Sequence, residues 1–112
     1  MQASATFKTP EARRYVDTLC AHFGPKALRS DDQAAALIRF PFGECELTPM
    51  DGALFMRAQA EDAVRLTRVT DTMTSYLERF AFRENPHLRW QIAKEPHHGG
   101  SFTGSAQGQA QT

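Results

Sequence analysis

The apolar residues of this chain change period twice, and that change restricts the fold more than any single motif. Ala12, Tyr15, Val16, Leu19, Cys20 and Phe23 recur at three- and four-residue spacing, as on one buried helical face. Between Ala36 and Ala60 the period is two. Leu66, Val69, Met73, Tyr76, Leu77 and Phe80 then restore the helical spacing. Two amphipathic helices that bracket alternating strands must bury their stripes on the apolar face of one sheet.

The turn residues divide the period-two region into strands. Ala3, Ala5 and Phe7 alternate with polar neighbours before the first helix and read as a half-buried strand. Ala27-Leu28-Arg29 forms a short strand that turns at Ser30-Asp31-Asp32. Ala36 to Phe40, Cys45 to Leu47 and Leu54 to Ala60 follow, separated by Pro41-Phe42-Gly43 and Pro49-Met50-Asp51-Gly52, and make an antiparallel meander. Thr9-Pro10-Glu11 opens the first helix with Thr9 as cap and Pro10 at the first helical position, and Gly24-Pro25 ends it. Glu61-Asp62 opens the second helix, which runs through Arg83 to the break at Asn85-Pro86. At about 1.5 Å per residue it would be on the order of 35 Å long. Leu88, Trp90 and Ile92 alternate and supply an extra C-terminal edge strand or a packed extended tail.

The expected fold is therefore a two-layer α+β sandwich over residues 1–92. Its antiparallel sheet has four to five strands, covered on one face by two helices, in the order β-α-β-β-β-β-α. Residues 93–112 are dominated by Gly, Ser, Gln and Ala, a composition that cannot repay its ordering entropy, and are expected to be a disordered tail. Arg39, Glu44, Glu46 and Arg57 fall on the open face of the sheet, with Leu37 and Phe55 as its apolar positions. A structural homodimer would form through those two residues.

Thirteen basic and thirteen acidic side chains cancel, so no global field recruits nucleic acid. No apolar run approaches the roughly 20 residues that span a bilayer, and Met1 to Lys8 lacks the apolar core of a secretory signal. A cytoplasmic location, with Cys20 and Cys45 reduced, is expected. Both cysteines read as small core residues, a thiol or redox site being the alternative. Cys20 and His22, two apart on a helix, point about 160° from each other and cannot grip one ion. No metal site or cofactor is expected.

His22 lies in the last turn of the first helix, where the helix dipole favours it, and it could also serve at a pocket mouth. Arg65, Arg68, Arg79 and Arg83 fall on one stripe of the second helix, beside Thr72 and Ser75. Such an edge could hold a carboxylate or phosphate through forked hydrogen bonds, or stand as a solvated flank with Glu61 supporting Arg65.

Ala12-Arg13-Arg14-Tyr15, Leu19-Cys20-Ala21-His22-Phe23, Phe40-Pro41, Gly43-Glu44-Cys45-Glu46-Leu47, Leu77-Glu78-Arg79-Phe80-Ala81-Phe82-Arg83 and Trp90 fall in order along residues 3–90. Together they resemble a bacterial family known as domain of unknown function 2218. The resemblance implies a small α+β domain with a topology like that of TATA-binding-protein folds, and topology carries no DNA-binding function with it. It also implies an association, in some members, with iron- or siderophore-uptake genes. One departure stands out: Tyr76 occupies the position ahead of Leu-Glu-Arg-Phe where the family leads one to expect histidine.

The favoured function is a non-enzymatic accessory that binds a small ligand or a protein partner. Its expected contacts are His22, Lys26, Arg79 and Arg83, beside Phe23, Phe80 and Phe82. The alternatives are a small enzyme or redox accessory using Cys20, Cys45 and His22, and the homodimer.

Overall fold

The computed structural model describes residues 1–93. The elements are β1 (Gln2–Lys8), α1 (Ala12–Phe23), β2 (Ala27–Arg29), β3 (Ala36–Phe40), β4 (Gly43–Met50), β5 (Ala53–Gln59), α2 (Ala63–Phe80) and β6 (Gln91–Ala93). Short 3-10 turns at Gly24–Lys26 and Phe82–Glu84 follow the two helices. All strand pairings are antiparallel, in the sheet order β2-β3-β4-β5-β1-β6. The fold is the expected α+β arrangement, with a sixth strand added by the residues after the proline break. Ala93 lies within that strand, opposite Gln2; the rest of the expected tail lies outside the described residues.

Cross-strand register explains the layer between sheet and helices. Ala36, Leu47, Met56 and Ala5 form one transverse row, and Ile38, Cys45, Ala58 and Ala3 another. All eight are buried. Tyr15, Val16 and Leu19 cover them from α1, and Leu66, Val69, Met73 and Leu77 from α2. Alternation sends the neighbouring residues to the other face. There Leu37, Glu46, Arg57 and Ser4 make a row, with Arg57 Nε donating to Glu46 Oε1 at 3.0 Å. Leu37 and Phe55 are half-buried on this side.

Two helix boundaries differ from expectation. The first helix begins at Ala12, because Thr9 spends its hydroxyl on the Glu11 N–H at 3.0 Å and leaves Pro10 in a turn. The second helix stops at Phe80 and is about 27 Å long by its 18 residues. Beyond it the chain tightens into the 3-10 turn, reverses at Asn85 in the left-handed region (φ 50°), and places Glu84 to accept from the Tyr15 hydroxyl. Asn85 suits this reversal because asparagine tolerates positive φ better than bulkier residues. Arg83 is consequently not on the helical stripe with Arg65, Arg68 and Arg79.

Candidate ligand site

Gly24 (φ 59°) ends α1 in a conformation that glycine adopts freely, and its N–H closes on the Cys20 carbonyl. The last turn thereby fixes His22 and Phe23 over α2. The His22 ring lies 4.5 Å from Tyr76 and 5.8 Å from Phe80. Phe23 meets Tyr76 edge-on at 5.1 Å and Phe40 edge-on at 5.4 Å.

Phe40 ends β3, and Pro41-Phe42 turns the chain into β4. Phe40 and Phe42 stack at 5.1 Å with their planes 7° apart. Gly43 makes this corner feasible. A Cβ there would stand 2.5 Å from the Gln59 carbonyl oxygen and 2.7 Å from Val69 Cγ2, so only glycine lets β4 start this close to β5 and α2. The close approach brings Phe42 under α2, where the Arg68 guanidinium lies 4.4 Å from its ring centre. At the other end Tyr76 and Phe80 stack at 5.9 Å, and Arg79 lies 5.7 Å from the Tyr76 ring.

The result is a seam of two ring stacks, Phe40–Phe42 and Tyr76–Phe80, bridged by Phe23 and flanked by His22. Centroid separations of this size are those of favourable aromatic pairs. Each stack carries one arginine. The five Phe and Tyr rings are half-buried and His22 is exposed, so the array reaches the surface. Beside the Phe40–Phe42 corner opens a cleft of about 600 Å³, lined also by Arg39, Glu44, Gln59 and Arg65. That volume lies within the usual range for small-molecule sites. Its two arginines are paired with carboxylates. Arg39 approaches Glu44 at 4.0 Å, and Arg65 pairs with Asp62 and with Glu61 at 3.9 Å.

The sequence profile of the family described as "Uncharacterized protein conserved in bacteria (DUF2218)" matches residues 4–91, most of the chain. The chain belongs to this family. The DUF2218 domain is also similar to a solved structure, the NMR structure of PA4090 from Pseudomonas aeruginosa. That similarity has 26% sequence identity and a TM-score of 0.68, and covers 84% of this chain and 98% of that one. No curated protein matches the chain significantly.

In this DUF2218 domain the expected contact residues part company. His22 and Arg79 both converge on Tyr76, at 4.5 Å and 5.7 Å from its ring centre. Lys26 is exposed at the end of the first 3-10 turn. Arg83 lies on the second 3-10 turn, 5.8 Å from the exposed Phe82 ring. Phe40 and Phe42 belong to the seam although sequence reasoning did not put them forward as contacts, and Arg68, read there only as part of the arginine stripe of α2, joins them. The signal for them was Gly43, whose need for close approach follows only once β4, β5 and α2 are assembled.

The two cysteines are free, Cys45 buried and Cys20 half-buried. Burial pushes the Cys45 thiol up to about 12. Cys20 is raised as well, by burial, against an opposing pull from Arg29. Neither is the depressed thiol that redox or nucleophilic chemistry calls for. Among the described residues, no group of three or more His, Cys, Asp and Glu side chains is placed to hold a metal ion. No described helix is long and apolar enough to cross a membrane.

Proposed function

We propose that the protein is a non-enzymatic accessory domain that binds a small organic ligand along the aromatic seam, from the Phe40–Phe42 cleft to the His22–Tyr76–Arg79 corner. The observation that carries this reading is the contiguous array of six rings left part-exposed beside a ligand-sized cleft. The five Phe and Tyr rings pack against the core on one side and still leave part of their surface open to solvent. Convergent aromatic walls with a few polar groups are what small-molecule sites use for affinity and orientation. Both thiols hold their protons at neutral pH, which speaks for binding rather than thiol chemistry. The iron-related setting that the family resemblance implies makes iron chelates the first ligands to try.

Native mass spectrometry of the protein isolated from its own host tests the reading, with a Phe42→Ser/Tyr76→Ser variant isolated in parallel. A small-molecule mass retained by the native chain and absent from the folded variant supports the site. Indistinguishable spectra, with neither chain carrying a ligand or both carrying the same one, would sink it.

A further inference from the structure

We infer that the ligand of this seam is a flat aromatic anion whose acidic group is taken by Arg68 while its ring packs against the Phe40–Phe42 wall. The inference rests on the binding reading above and assigns its chemistry.

Arg39 and Arg65, which line the cleft, already have carboxylate partners in Glu44, Glu61 and Asp62. Arg57 on the open sheet face is held by Glu46. Arg68 and Arg79 have no carboxylate in ion-pair range among the described residues, and each contacts a seam ring instead. A guanidinium lying over an aromatic ring uses its face for the ring and keeps its N–H groups for an acceptor. Carboxylates and related oxyanions fit that fork through two charge-assisted hydrogen bonds.

Arg68 and Arg79 are eleven residues apart on α2, about 16 Å along its axis, so one small anion cannot use both. The cleft decides between them. Phe42 lines it, Arg68 lies on Phe42 at 4.4 Å, and Arg65, one turn earlier on α2, forms part of its wall. Of the two, Arg68 is therefore the one that lies against a ring of the cleft wall, Phe42. A neutral or cationic aromatic would leave Arg68 without an acceptor. An aliphatic acid would forgo the Phe40–Phe42 surface.

The test is a titration of the folded chain with 1-naphthoate and with 1-naphthamide, an equally flat neutral probe, followed by amide NMR shifts or calorimetry. The naphthoate should bind about ten-fold or more tightly than the amide, the scale of a charge-assisted hydrogen bond. Arg68→Gln should bring that ratio close to one, and Phe42→Leu should weaken both probes together. Arg57→Gln, which removes an equal charge from the open sheet face, should leave the ratio unchanged. Equal binding of acid and amide overturns the anion assignment and leaves the binding site standing. A preference that survives in Arg68→Gln but disappears in Arg79→Gln overturns the placement at Arg68. Failure of both probes to shift any seam amide in the millimolar range overturns the binding site and this inference together.

Discussion

Trp90 Nε1 donates a 2.9 Å hydrogen bond to Thr74 Oγ1, which ties the segment after Asn85-Pro86 back onto α2. The half-buried indole packs against the core while its N–H reaches the Thr74 hydroxyl. Trp90→Phe keeps most of the ring and loses the donor, and should cost about 1 kcal/mol. Thr74→Val should cost a similar amount by leaving the indole N–H without its acceptor. Because both changes break the same bond, the double variant should cost less than the two combined. Urea unfolding followed by far-ultraviolet circular dichroism reads all three.

The thiols give the domain an alkaline limit. Cys45 holds its proton to about 12 in the fold, against an ordinary value near 9 in the unfolded chain, because burial disfavours the thiolate. Cys20 is shifted the same way by burial. Tyr15 follows, raised by burial and then by the Glu84 carboxylate that accepts from it. A folded-state value above the unfolded one means stability that is complete below about pH 9 and declines as pH climbs towards 12. Chemical denaturation at pH 7, 9 and 10.5 should show that decline, and Cys45→Ala should flatten it. Both thiols should alkylate slowly at pH 8 until denaturant is added.

Gly43 and Gly52 should answer differently to alanine. At Gly43 the new methyl meets the Gln59 carbonyl and Val69, and the corner must open, for about 2 kcal/mol. At Gly52 (φ 71°) nothing stands within 4 Å, so the cost is confined to the left-handed backbone, about 1 kcal/mol. Gly43→Ala should also shift the amides of Phe42 and Arg68, whereas Gly52→Ala should not. Thermal unfolding together with one two-dimensional NMR spectrum of each variant checks both statements.

Asp62 caps α2 by accepting from the Arg65 N–H at 2.8 Å, and that bond holds its carboxyl below the usual aspartate range. Asp62→Ala should lower the thermal midpoint, and Asp62→Asn, which keeps an acceptor, should recover most of the loss. The benefit of the native cap is present above the unfolded aspartate value and is lost as pH falls through the lower folded one. The gap between native and Asp62→Asn midpoints should therefore narrow in acid.

Much of the fold was legible because it is written in periods. Alternation marked β1 and β3 to β5, and the helical stripes named nearly every residue that α1 and α2 bury. The end of α2 was less legible. Ala81, Phe82 and Arg83 suit a helix by composition, and the chain leaves it because Glu84 must meet Tyr15, 69 positions earlier. The seam was legible only in part. His22 and Arg79 could be singled out from their places on helices, since a helical face is a local property. Their convergence on Tyr76, and the position of Arg68 over Phe42, depend on which element lies beside which. Period says which side a residue faces, not what it will meet there.

The place of β1 in the sheet carries a consequence for how the chain assembles. Ala3 finds its neighbours in Ala58 and Ile92, far along the sequence, whereas Ala36, Leu47 and Met56 pair within a compact meander. Closing a long loop costs entropy before any contact repays it, so distant pairings form late and slowly. Although it precedes the meander in the chain, β1 should thus be among the last strands to dock, sliding beside β5 after the meander exists. Stopped-flow kinetics should then find that Leu47→Ala slows folding while Ala5→Gly chiefly speeds unfolding.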